Sequence, residues 1–447
     1  MKNKLFAIAL MAVAAITILA APILDGGDGI KNSGEAQTTT TTASVTTSDT
    51  SFATTTSDEA VTTTASQSDE PTVTTTTTEA ETESATTTTT TSQTTTEATT
   101  TTTPEATTTA TTTTTKKPET TTTTTKKPQE PVQNDAPSGT PVAEHGQLSV
   151  KGANIVDQSG NKFQLIGMST HGLGWFPKAV SKQSFKVFRD DWNCNAMRLA
   201  MYIEESWGGS ESLYLAQPET NYQLVTKGVD ACIDLGMYVI VDWHVLNPGD
   251  PTTHTKESKE FFAKIAKEYG DYPNIIYEIC NEPNGNVSWS KIKTYADEVI
   301  AEIRKYDSDA VIICGTPTWS QDIDKAKNDR LSDKNTVYAL HFYANTHTDW
   351  LRDRLTQCYN AGLPVLVSEF GTCDASGNGG FNKDQTKKWL SLLDSYSIGY
   401  FNWSFCDKGE TASAFKSGTD LSNIKAGTDQ LTESGKLIRE LFRKRDA

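Results

Sequence analysis

Two glutamates sit where few side chains tolerate a charge. Glu282 closes the run NIIYEICNE (274–282), and Glu369 lies near the end of PVLVSEFG (364–371). A carboxylate among such apolar neighbours costs several kcal/mol unless it is paired or keeps its proton. One such residue could simply serve an ion pair, with Arg198 of AMRLAM (196–201) as the partner. Two of them at one rim would meet the needs of glycoside hydrolysis. One carboxylic acid gives a proton to a leaving oxygen, and one carboxylate attacks the anomeric carbon.

Other polar groups fall at the ends of similar runs. They are His171, Arg198, His244, Asn281, Thr316, His341 with Tyr343, and Trp403. Arg198 and the Tyr343 hydroxyl are placed to hold one glutamate ionised, and its charge and aromatic walls would keep the proton on the other. Trp175, Tyr202, Trp207, Trp243, Trp319, Tyr343, Trp350 and Trp403 also fall at or just after run ends. Pyranose rings present apolar C–H faces that pack on aromatic rings, so this composition suits a sugar. Trp175 and Trp403 are the favoured platforms. His244, His341 and Glu369 could be read as metal ligands instead, but the chain has no HxH on its first run, no HExxH and no CxxC. It also lacks GxSxG and a P-loop. The expectation is chemistry without metal or cofactor.

The elements that must position these groups are legible as a repeat. Apolar, β-rich runs occur at 163–168, 196–201, 237–244, 274–282, 310–315, 336–343, 364–371 and 399–404. Between them lie helical patterns such as 259–270 and 291–306, the second with Ile292, Tyr295, Ala296, Val299, Ile300 and Ile303 along one face. Strands apolar on both faces, alternating with helices, imply a parallel sheet under a helical layer. Eight units predict a (β/α)8 barrel, in which strand C-terminal ends line the active site. The fourth and seventh strands of such a barrel face each other, which would set the glutamates roughly 5 Å apart. A doubly wound sheet is the alternative, and it normally needs a GxGxxG turn that this chain lacks. A short hairpin is expected to open the domain, turning at Gln158-Ser159-Gly160-Asn161.

Composition separates the 447 residues into unlike parts. Lys2 and Lys4 precede an apolar run from Leu5 to Ala21, read with its surroundings (1–24) as a signal peptide or anchor. Residues 25–141 are Thr-dominated, carry 16 acids and 5 bases, and hold too few large apolar side chains to offset their ordering entropy. They are read as an extended stalk of roughly 60 Å r.m.s. span. Residues 142–447 remain as one large catalytic domain. A net charge of −16 gives no electrostatic reason to bind nucleic acid, so a neutral polymer is the easier partner. Seven cysteines, an odd number, do not make a complete disulfide framework, and buried free thiols are expected at Cys280 and Cys314. The chain is expected to be exported and monomeric.

The motifs together resemble a known family. IYEICNEPNG (276–285) resembles the fourth-strand signature of glycoside hydrolase family 5, and VLVSEFG (365–371) its nucleophile strand. MSTHGLGWF, NAMRLAMY, VIVDWHVLNPGDP, TPTWSQD, YALHFYANTH, CDASGNGG and FNWSFCDK are similar to segments of its secreted bacterial β-1,4-endoglucanases. The resemblance spans nearly all of 142–447 and leaves out the stalk. It implies a retaining enzyme with Glu282 as acid/base and Glu369 as nucleophile. Asn281 would bond the sugar's 2-hydroxyl, Arg198 and Tyr343 would support Glu369, and His341 would join their network. It further implies His171, His244 and Trp403 around the sugar at the cleavage point, with Trp175, Tyr202 and Lys408 contacting its neighbours. Phe370 stands where the family more often has tryptophan or tyrosine. The implied partner is a β-glucan such as cellulose; mannan, xylan and mixed-linkage glucan remain open, as does a catalytically dead glycan-binding barrel.

Overall fold

The computed structural model describes residues 136–206, 208–427 and 429–446. The segment read as a signal peptide, nearly all of the stalk, and Trp207 lie outside them.

The eight apolar runs form eight strands: β3 (Ile166–Thr170), β4 (Ala196–Tyr202), β5 (Tyr238–His244), β6 (Ile275–Glu278), β7 (Val311–Cys314), β8 (Thr336–Tyr343), β9 (Val365–Gly371) and β10 (Tyr400–Phe405). They close into a barrel in the order β10-β3-β4-β5-β6-β7-β8-β9, and every neighbouring pair is parallel. Helices fill the connections: α2 (Lys182–Trp192), α3 (Pro218–Leu235), α4 (Thr255–Tyr269), α5 (Trp289–Ile303), α6 (Pro317–Ser320), α7 (Ile323–Asn328), α8 (Asp349–Asn360), α9 (Lys383–Tyr396) and α10 (Glu433–Arg443). The stripe expected on α5 is the one it buries. Side-chain caps fix several helix starts; Ser288, for example, accepts from the Lys291 amide.

Strand alternation sorts the core into two compartments. On β5, Val239, Val241 and Trp243 point outward into the helical layer, while Tyr238 and Ile240 point inward. Inward residues of neighbouring strands, among them Ile276, Ile313, Val337, Leu366 and Phe401, plug the lower half of the barrel. The apolar plug leaves only the upper half for polar groups. Trp243, expected at the rim, is fully buried on the outer side against Phe261, because it is out of phase with Asp242 and His244.

Three readings need correction. The opening hairpin is β1 (Ser149–Lys151) with β2 (Asn154–Val156), turning at Gly152-Ala153. Gly152 supplies the positive φ, 62°, that this tight turn requires. Gln158–Asn161 makes a second turn, held by Asp157 accepting from the Ser159 and Asn161 amides, and it closes only an isolated bridge between Val156 and Lys162. At the start of the domain, α1 (Pro141–His145) buries Val142, and Ala136 packs on the barrel plug. Residues 136–141 are therefore built into the folded unit. Lastly, β6 ends at Glu278, so Asn281 and Glu282 stand on the following loop. Their amides still reach β5 and the residue after it, at the Trp243 and Val245 carbonyls (3.3 and 3.1 Å).

Candidate active site

Arg198 is the centre of the polar upper barrel. It is completely buried. Its Nε donates to Glu278 (2.7 Å), Nη1 to Glu369 (3.1 Å) and to Ser169 (3.1 Å), and Nη2 to Asn281 (2.6 Å). Nη2 also lies 3.0 Å from Asp242. A guanidinium suits this position because its planar fork serves several acceptors at fixed angles.

Glu369 reaches this centre through a bulge. Pairing runs from Ala339↔Leu366 to His341↔Glu369, so β9 has one residue more than β8 over that stretch. Strict alternation would send Ser368 and Glu369 to opposite faces. The bulge turns both inward, as bulges at barrel rims and active sites often do. Glu369 then accepts from the Tyr343 hydroxyl at 2.8 Å as well as from Arg198. Burial and the charge of Glu282 raise the Glu369 carboxyl above its ordinary value, while His341, Arg198 and Tyr343 pull against them.

Glu282 is held by a proton chain. Ser368 donates to Glu278 (2.6 Å), so His341 Nε2–H must donate to Ser368 (2.9 Å). The other nitrogen, Nδ1, faces Glu282 Oε1 at 2.8 Å. Burial opposes a charge on His341, but the carboxylates of Glu278, reached through Ser368, and Glu282, together with the Glu369 charge, push it up to about 9. One proton thus lies between an imidazole and a carboxylate at the cleft. A carboxylate oxygen of each glutamate and a nitrogen of His341 lie within 4.8 Å of one another. These three could geometrically grip an ion, yet both imidazole nitrogens are already hydrogen-bonded.

His244 and His171 are neutral by construction. Burial and the Arg198 charge hold His244 well below its ordinary value. Its Nδ1 faces Asp242 at 2.6 Å and its Nε2 faces the Asn281 amide at 3.1 Å. Burial and Lys408 lower His171 to about 3, and its Nδ1 accepts from the Gly172 amide at 2.7 Å, which leaves Nε2 as the donor. Burial also holds Asp242 well above the carboxylate range.

The cleft over these groups has a volume of about 510 Å³. Glu282, His341, Tyr343, Glu369, His171, His244, Tyr202, Trp403 and Lys408 all line it, with Trp319, Gln321, His347 and Glu410. Of the other sequence candidates, Arg198 and Asn281 lie beneath it, fully buried. Trp175 stands behind Tyr202, ring centroids 4.7 Å apart, and donates to the Gly209 carbonyl.

The catalytic-domain residues 156–409 match the family model "Cellulase (glycosyl hydrolase family 5)". The chain belongs to glycoside hydrolase family 5. An endoglucanase of Clostridium saccharobutylicum is 44% identical over 296 residues, 66% of this chain and 64% of its own length. Endoglucanase N of Pectobacterium atrosepticum is 45% identical over 308 residues, 68% of this chain and 67% of its own. The chain thus spans about two thirds of the length of these two relatives, and 59% of endoglucanase 5 of Pectobacterium carotovorum. Among solved structures, the catalytic domain of a Thermobifida fusca endoglucanase in complex with cellotetraose is 36% identical, with a TM-score of 0.65 over 68% of this chain and all of that one.

Several residues of this family 5 site escaped the sequence reading. Asp242, Glu278 and Ser368 are fully buried and orient the residues that were read. Their signal was present: an acid inside VIVDWH, two residues from a histidine, and another inside IIYEIC. Glu410 was also missed. Lys408 pairs with it at 2.7 Å, close to His171 Nε2 (3.9 Å). Trp319 was noted as an aromatic but not as a site residue; it lines the cleft and is 45% exposed. Phe370 faces away from the cleft and stacks on Phe342, so the family's usual ring is exchanged in the outer core.

Proposed function

We propose that this chain is an endo-acting β-1,4-glucanase that cleaves with retention of configuration. The observation that carries the reading is the glutamate pair, with one carboxylate oxygen of each within 4.8 Å of the other. Retaining pairs lie at about 5 Å, whereas inverting pairs leave more room, for a water. Glu369 attacks the anomeric carbon, the glycosidic C–O bond breaks, and Glu282 gives its proton to the leaving oxygen. Glu282 then takes a proton from water, the hydroxide oxygen bonds to the anomeric carbon, and Glu369 leaves as carboxylate. Arg198 and Tyr343 hold Glu369 in line, and His341 orients Glu282. Asn281, fixed by Arg198, serves the 2-hydroxyl. His171 and His244 bind the same sugar over Trp403, with Tyr202, Trp175 and Lys408 on one side and Trp319 on the other.

The similar endoglucanases support a polymer such as cellulose as substrate; the protein is read as exported and monomeric, with the Thr-rich residues before 136 as its stalk. The test is hydrolysis of carboxymethylcellulose followed by proton NMR. The β-anomer should form first. Initial formation of the α-anomer, or near-wild-type turnover by Glu282→Gln or Glu369→Gln, would overturn the assignment. Rates on cellulose, lichenan and mannan decide the polymer.

A further inference from the structure

Exposed aromatic surface continues past the cleft. Trp350, in the first turn of α8, is 47% exposed. Tryptophan is largely buried in most folded proteins; a single exposed ring needs no partner of its own, and what distinguishes Trp350 is that it is held in place next to the cleft. The Trp350 ring is fixed from two directions. Its centroid lies 5.9 Å from that of His347, with the planes at 64°, and the Arg354 guanidinium stands over it at 5.5 Å.

Both neighbours tie Trp350 to the cleft. His347 lines the cleft and accepts from the Tyr343 amide at 2.8 Å. Arg354 donates to the Gln321 carbonyl at 3.0 Å and pairs with Asp322 and Asp324. Gln321 follows the turn that presents Trp319. That turn is left-handed at three successive residues, Thr318, Trp319 and Ser320, with φ of 59°, 52° and 54°. Such a run is costly for residues other than glycine and persists only where surrounding contacts hold it. One guanidinium therefore braces both exposed tryptophans.

The side of the cleft follows from the backbone. The Trp319 amide donates to the carbonyl of Pro283, the residue after Glu282. Trp319 thus stands beside the acid, where the leaving part of a cleaved chain must lie. His171, Tyr202 and Trp403 cluster together by ring contacts and serve the opposite part. Trp350 does not line the cleft itself and lies beyond His347.

On the glucanase reading, we propose that Trp350 is a distal stacking platform for the leaving-side portion of a β-1,4-glucan, beyond the sugar on Trp319. It raises efficiency on long chains and leaves short ones unaided. A neutral polymer fits, since C–H faces stack on the ring and Arg354 offers donors to hydroxyls without requiring an anion.

The test compares kcat/KM on cellotriose, too short to reach Trp350, with that on cellohexaose. In Trp350→Ala the cellohexaose-to-cellotriose ratio should fall roughly three- to tenfold, the scale of a lost aromatic contact. Cleavage positions on reducing-end-labelled cellohexaose should shift, and Trp350→Phe should restore most of the ratio. An unchanged ratio, or an equal loss on both substrates, overturns the inference while leaving the glucanase reading intact. A wild-type chain that cleaves neither oligosaccharide overturns the reading, and the inference with it.

Discussion

Glu369→Gln keeps the side-chain volume and the Tyr343 contact but removes the attacking charge. Turnover on carboxymethylcellulose should fall at least about a thousandfold, since the variant retains only binding and acid assistance. A subtler residue-scale test uses the raised Glu369 carboxyl. The acid limb of kcat/KM should lie above the ordinary glutamate value of 4.5, because Glu369 must be ionised to attack. Glu282→Gln removes one of the two influences that raise it. On an aryl cellobioside whose leaving group needs no proton, the acid limb of this variant should move to lower pH. An unmoved limb would show that the two carboxyls do not feel each other.

At the scale of elements, the barrel strands act as a frame for one buried network. Arg198→Met would leave the Glu278 carboxylate buried without the cation that pairs with it. Removing one partner from a buried ion network costs about 3–5 kcal/mol, measurable by urea unfolding. Arg198→Lys should lose less stability yet still lower kcat, because an ammonium cannot serve the same fork of acceptors. A second element-scale prediction concerns Gly315, just past β7. A β-carbon there would lie 2.4 Å from the Cys280 carbonyl and 2.9 Å from that of Asn281. Gly315→Ala must therefore push on the loop that carries Asn281 and Glu282. A displacement approaching 1 Å at reacting groups costs about 100-fold in rate. The expectation is a kcat loss of that order with only modest change in KM.

The whole molecule responds to pH through its buried histidines. His171 is lowered to about 3 and His347 to about 4, in both cases by burial first. An unfolded histidine titrates near 6.5, so below that pH the unfolded chain binds protons that the native one refuses. Stability from these two groups is present above pH 6.5 and is lost as pH falls. His341 runs the other way: its contribution is full below 6.5 and fades as pH rises towards about 9. His171→Gln should therefore lose about 2 kcal/mol less than wild type between pH 6.5 and 4.5, by urea unfolding at each pH. The domain boundary is testable at the same scale. A chain of residues 136–447 should keep wild-type kcat/KM on soluble substrate. One that begins at 142 lacks Thr140, Pro141 and the Ala136 packing on the barrel plug, and its melting midpoint should be lower by a few degrees.

The sequence by itself determined the barrel, because eight apolar runs alternating with helical stripes have few other ways to bury both faces of a parallel sheet. It also singled out, at or near the ends of apolar runs, residues that the fold brings to the cleft, among them His244, Glu282, His341 and Trp403. Only the tertiary structure decided which way β9 points its residues. Its bulge depends on pairing with β8 and β10, and such register is invisible to a period-two pattern that would separate Ser368 from Glu369. The same holds for Arg198, whose five partners come from four separate segments of the chain, and for Asp242 and Glu278, which alone look like misplaced charges. A network of this kind is a property of closure, since each member is tolerable only when the barrel brings the others within bonding distance.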